Sequence, residues 1–194
     1  MLKIVILGFL SYQPQTGYEL KQNIDHSTKY FWSAKQSQIY RTLKQLEEDG
    51  LLVSTIHPQE DRPDRRVYTI TEAGMVEFTE WLEQPIMDAQ YLRDSLLVKI
   101  FFSAYSNKED ILTQLRLQQS LAHQEYIRLS EELKAGLAEN RRNLPASPLF
   151  DNTFLLWENV RQFGEMYYEM AQNWMEQTIQ SIEENFIEET NGEN

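Results

Sequence analysis

Residues 37–74 read SQIYRTLKQLEEDGLLVSTIHPQEDRPDRRVYTITEAG, and the periodicity of the apolar residues changes twice within them. Ile39, Leu43 and Leu46 recur at spacings of four and three, the pattern of one apolar face of a helix, and Gly50 supplies the residue that ends it. The opposite face of that helix carries Gln38, Arg41, Thr42 and Gln45. Residues 51–57 are β-rich, QEDRPDR is a polar turn with a proline, and 66–70 is a second β-rich run, so a hairpin is expected. Thr71 then suits the N-cap of a helix through about residue 82, which Pro85 ends.

Upstream, LKIVILGFL at 2–10 is too continuously apolar for a surface helix and too short for a membrane span, which predicts a buried helix. It runs into polar sequence without a small-residue cleavage site, so it does not read as a signal peptide. Thr16 and Glu19 have the spacing of a capping box, opening a second helix over about 17–25. Three helices, a hairpin and a helix make a winged helix-turn-helix with a two-stranded wing over residues 1–84. Beyond Pro85 only helical patterns follow, over about 91–105, 108–140 and 154–188, separated by SNK and NLPASPLFDN. The expected fold class is mainly α, with residues 85–194 a helical dimerisation and effector domain.

Charge gives a conflicting signal. The net charge of −12 opposes DNA binding, because phosphate neutralisation supplies most non-specific affinity. Its distribution matters more: from 26 to 46 there is no acidic residue, while Lys29, Lys35, Arg41 and Lys44 are basic. After Arg161 there is no Lys or Arg at all, only a succession of glutamates.

The run at 37–74 resembles the PadR family, whose pattern this sequence matches through Ile39, Tyr40, Leu43, Leu46, Glu47, Gly50, Leu51, Tyr68, Thr71 and Gly74. TGYEL at 16–20 and ILGFL at 6–10 fit as well, so the resemblance covers about the first 82 residues; the helical remainder is similar to the long PadR subfamily in architecture only. The resemblance implies a homodimeric transcriptional regulator, a repressor by family default, binding an inverted-repeat DNA operator with the helix containing Tyr40 in the major groove and the wing on the neighbouring backbone. It also implies a small effector, since founding members of the family respond to phenolic acids and other planar compounds. The cytoplasm is the expected location.

The residues support this independently. Gln36, Ser37, Gln38 and Thr42 are able to hydrogen-bond base edges or phosphates, Lys35, Arg41 and Lys44 to meet phosphates or guanine, and the Tyr40 hydroxyl to reach a phosphate. In the wing the resemblance assigns phosphate contact to Arg62, Arg65 and Arg66, against the alternative of a surface hairpin in which Glu60, Asp61 and Asp64 offset them. A polar helix face of this kind is otherwise simply solvated.

On the last helix Val160, Phe163, Tyr167, Met170 and Trp174 follow spacings of 3, 4, 3 and 4, an a/d seam assigned to dimerisation; an intrachain core is the competing reading. Ile179, Ile182 and Phe186 continue an apolar stripe after a phase shift. Trp157, Phe163, Tyr167 and Trp174 are the candidates for a planar aromatic effector.

Catalysis finds no support. There is no cysteine, His26, His57 and His123 lack metal-ligand spacing, and GFLSYQPQTG has no phosphate-loop lysine. No enzyme activity, metal or cofactor is expected. The alternative from another class is a winged-helix protein-interaction module without DNA binding, which the net charge keeps open.

Overall fold

The computed structural model describes residues 1–58, 64–88, 91–143 and 147–187. The chain divides into two compact units, Met1–Ala89 and Gln90–Asn194.

In the first unit, helix α1 (Leu2–Tyr12) sends Ile6, Leu7 and Leu10 into the core and is followed by a two-residue strand, β1 (Gln15–Thr16). The capping box forms as its spacing predicts: the Thr16 hydroxyl accepts from the Glu19 amide, the Glu19 carboxylate accepts from the Thr16 amide, and α2 (Gly17–Asn23) begins. A π-helical turn, Ile24–Thr28, extends it and buries Ile24.

Helix α3 (Gln36–Glu48) buries Ile39, Leu43 and Leu46 and ends at Gly50, whose φ of 74° is the left-handed conformation a C-terminal cap requires. The Leu51 amide returns to the Leu46 carbonyl at 2.9 Å, closing that cap.

Strands β2 (Leu52–His57) and β3 (Arg65–Ile70) form the hairpin, paired antiparallel from Leu52 opposite Ile70 to His57 opposite Arg65. The sheet has one strand more than the sequence suggested, because β1 pairs with the other edge of β3, Thr16 opposite Val67, in the order β1-β3-β2. A two-residue strand carries no period to read, so only tertiary pairing reveals it.

Helix α4 (Glu72–Glu83) shows why threonine and glycine stand three apart in the TEAG segment. The Thr71 hydroxyl donates to the Gly50 carbonyl and accepts from the Gly74 amide at 3.1 Å, and a Cβ on Gly74 would lie 2.3 Å from the Leu51 carbonyl oxygen. The start of α4 thus rests directly on the end of α3, which only glycine permits. Buried Ile6, Leu7, Leu10, Leu20, Ile24, Ile39, Leu43, Leu46, Leu52 and Tyr68 make one core beneath the sheet. Each fully buried aliphatic side chain contributes about 1.5–3 kcal/mol.

The second unit is helical throughout its described residues. Helix α5 (Ser95–Phe101) starts four residues later than the sequence pattern suggested, because the Asp94 carboxylate takes the Leu96 amide at 2.7 Å and sets the cap there. A 3₁₀ turn, Ser103–Tyr105, follows. Helix α6 (Lys108–Ile127) passes through a π-helical segment, Arg128–Leu133, into α7 (Lys134–Asn143).

Helix α8 (Pro148–Asn185) begins six residues before the expected start. Proline suits the first helical position, and the Ser147 hydroxyl caps it by accepting from the Phe150 amide. Cross-links from α8 to the preceding helices run in opposite order along the two, Arg116 to Glu183, His123 to Gln172 and the Leu129 carbonyl to Arg161, so α6 and α8 lie antiparallel. No helix among the described residues is long and apolar enough to cross a membrane.

Candidate nucleic-acid interface

The face of α3 opposite its buried leucines is open. Lys35, Gln36, Ser37, Gln38, Tyr40, Arg41, Lys44 and Gln45 are exposed, and Thr42 is half-buried with its hydroxyl donating to the Gln38 carbonyl. The Gln38 side-chain oxygen accepts the Lys35 amide at 2.9 Å, which helps to start the helix and spends one of that residue's acceptors. Lys44 stands 3.6 Å from Glu48 with both side chains largely in solvent, a weak pairing, and Arg41 makes no ion pair among the described residues. Tyr40 lies with its ring over Gly17, coupling the start of α3 to the start of α2.

The wing arginines are held differently. Arg62 falls outside the described residues. Arg65 donates Nη2 to Glu19 Oε1 at 2.7 Å, on the same carboxylate that completes the capping box of α2. Arg66, next along β3 and so on its other face, donates Nη2 to Glu47 Oε2 at 2.5 Å and Nε to the Ser54 hydroxyl at 2.9 Å. The Ser54 hydroxyl in turn donates to Glu47 Oε1, and the guanidinium carbon sits 5.4 Å from the centroid of the Tyr68 ring.

The titration of these groups follows. The Ser54 hydroxyl, and next the Arg66 guanidinium, hold the Glu47 carboxyl below its ordinary value, and the Thr16 amide above all does the same for Glu19. Burial pushes the Tyr68 phenol up. The sequence singled out Glu47 only as part of a motif; its partners come from β2 and β3, and no spacing announces them.

In the second unit the seam divides. Val160, Phe163 and Met170 point outward on the single chain, joined by Leu156 and Met166, whereas Trp174 packs on the core with Tyr168, and Tyr167 is half-buried beside them. The intrachain stripe is Phe154, Trp157, Arg161, Gly164, Tyr168, Ala171 and Met175, a second series at alternating spacings of 3 and 4. It was readable in principle but interrupted by an arginine and a glycine. Ile179, Ile182 and Phe186 continue this second stripe, and that is the origin of the phase shift in the sequence.

Arg161 is buried yet fully engaged, donating to Glu158, to Glu165 and to the Leu129 carbonyl at 2.9 Å. Trp157 stacks edge-on against Phe154. The four effector candidates do not meet: Trp157 and Trp174 lie 17 positions apart on one helix, about 25 Å at its rise per residue.

An outward polar helix beside a wing on a compact three-helix core places the first unit in the winged helix-turn-helix class. Residues 6–80 match the transcriptional regulator PadR-like family, and residues 92–183 match the virulence activator alpha C-terminal family. The chain belongs to the PadR-like transcriptional regulators, a non-enzymatic family.

It is 37% identical over 111 residues to the probable transcriptional regulator Rv1176c of Mycobacterium tuberculosis, covering 57% of this chain and 56% of that protein. It is 31% identical over 112 residues to the negative transcriptional regulator PadR of Bacillus subtilis, covering 57% and 60%. Both matches thus span less than two thirds of those relatives.

In structure it is similar to smu.1604c of Streptococcus mutans, with a TM-score of 0.75 and 26% identity over 92% of this chain and 98% of that one. It is likewise similar to B. subtilis PadR solved in complex with operator DNA, with a TM-score of 0.74 and 23% identity over 93% and 98%. The latter protein has also been solved with p-coumaric acid.

Proposed function

We propose that this protein is a transcriptional repressor that binds an inverted-repeat operator as a homodimer in the cytoplasm. The α3 face, with Lys35, Gln36, Ser37, Gln38, Tyr40, Arg41, Thr42 and Lys44, reads the major groove, and the wing flanks it. The observation that carries the reading is the α3 surface itself: hydrogen-bonding side chains and an unpaired Arg41 on a rigid helix, with no carboxylate before Glu47. The negative charge lies mostly elsewhere, and local rather than total charge meets a phosphate backbone. Repression is supported by the B. subtilis relative, a negative regulator by name.

Two reading heads require a second copy, and the outward stripe of Val160, Phe163 and Met170 on α8 is the surface that a second copy covers. Release by a small planar aromatic effector completes the reading, supported by the p-coumaric acid complex of the same relative.

The test is a titration of DNA from upstream of the coding gene against scrambled DNA at two salt concentrations. A sequence-selective complex that weakens as salt rises is expected. Equal, weak binding to both DNAs would replace the reading with that of a protein-interaction module.

A further inference from the structure

The wing is fastened to the reading head at two points that use adjacent residues of one strand. Arg65 and Arg66 point to opposite faces of β3, and each meets a carboxylate on a different helix, Glu19 on α2 and Glu47 on α3. The Glu47 anchor is the fuller one. Its two oxygens take the Ser54 hydroxyl of β2 and the Arg66 guanidinium of β3, and those two groups also bond each other. One carboxylate therefore ties both strands of the hairpin to the helix that presents Arg41 and Lys44.

A guanidinium with five donors that already serves a carboxylate, a hydroxyl and an aromatic face is poorly placed to meet a phosphate as well. The pair is also about half exposed on the arginine side, and such pairs add little to stability. What this arrangement supplies is geometry: it fixes the angle of the wing against α3.

We propose that Glu47 is a positioning residue for DNA recognition, locking the wing to the recognition helix through Ser54 and Arg66, and that Arg66 acts through this lock and touches no phosphate. The proposal rests on the DNA-binding reading above. It predicts a thermodynamic signature distinct from that of a phosphate contact, because losing a contact to the backbone lowers the salt dependence of binding whereas losing a positioning group does not.

The experiment is a double-mutant cycle on the full chain with Glu47→Gln and Arg66→Met. It reads selectivity for upstream over scrambled DNA across a range of salt, with hydrogen exchange of the β2 and β3 amides in the absence of DNA.

Each single variant is expected to lose about tenfold in selectivity with an unchanged salt slope, to quicken exchange in the hairpin, and to be no better than the double variant, since both break one unit. Ser54→Ala, which removes the bridging hydroxyl and is unlikely to disturb folding at a half-buried strand position, should move in the same direction. A salt slope lowered by about one in Arg66→Met, with Glu47→Gln binding unchanged or tightened, would overturn the proposal, as would additive losses. If the unmodified chain forms no selective complex, the DNA-binding reading fails first; unchanged exchange in Glu47→Gln then removes the lock as well.

Discussion

The ring of Tyr40 lies against Gly17 so closely that a Cβ at Gly17 would come within 2.6 Å of the Tyr40 Cε1. The first turn of the recognition helix and the first residue of α2 are therefore fitted to each other. Gly17→Ala should push the ring aside and destabilise the first unit by about 1–3 kcal/mol, the usual cost of overpacking. Adding Tyr40→Ala to Gly17→Ala should recover part of that loss, because the clash is gone. Thermal melts of the two singles and the double decide it; additive losses would mean that the contact is not the cause.

Arg41→Ala and Lys44→Ala should weaken operator binding without lowering the melting temperature, as both side chains project into solvent from a helix held by its other face. Loss of a base-reading arginine costs about 1–3 kcal/mol, and loss of a phosphate contact mainly flattens the salt slope. Anisotropy titrations that find affinity and slope unchanged in both would take α3 out of the groove.

The winged-helix half was legible because its signals are local. The Thr16 and Glu19 spacing, the Ile39, Leu43 and Leu46 face and the Gly50 stop each state a helix boundary within a few residues. The partners of the wing were not legible, since Glu19 meets Arg65 and Glu47 meets Arg66 only after the chain folds back on itself. On α8 the sequence offered two interleaved stripes of equal period. Which one is the intrachain core depends on where α6 lies, and periodicity does not contain that information.

Because Val160, Phe163 and Met170 face outward on the single chain, Phe163→Glu together with Val160→Glu should convert dimers into monomers and leave the helical content of the second unit intact. Met175→Glu, a change in the buried stripe, should instead unfold that unit. Light scattering with circular dichroism separates the two. A Phe163→Glu, Val160→Glu protein that remains dimeric would move the interface elsewhere. Removing the helix from Phe154 onward is the poorer test, since α8 supplies half of the core that α6 needs.

Arg161→Met should destabilise the second unit by about 3 kcal/mol, near the low end for breaking a buried ion pair, since the Glu158 and Glu165 side chains retain some contact with water. Arg161 foremost holds the Glu158 carboxyl below its ordinary value of 4.5. A depressed carboxyl gives stability that is present above 4.5 and lost as the pH falls below it. Melting temperatures measured downward from neutral pH should therefore fall more steeply for the native chain than for Arg161→Met. Parallel curves would remove this ion pair from the acid response.

A planar phenolic ligand, if it acts through the second unit, should quench the fluorescence of Trp157 or Trp174 but not of both, given their separation along α8. Titrations of Trp157→Phe and Trp174→Phe, with operator affinity followed in parallel, locate it. Compounds that quench without changing operator affinity would exclude this helix from the response.

The π-helical segment Arg128–Leu133 amounts to one residue more than an α-helical path would hold. Deleting any single residue within it would straighten the helix and turn everything after it by about 100° relative to everything before. Either the α6 stripe of Ile111, Leu115 and Ala122 or the α7 surface would then keep its place against α8, and not both. When sequences of this kind are aligned, a one-residue gap opening at 128–133 is thus a mark of lineage: it separates chains that carry this offset from those whose helix runs straight.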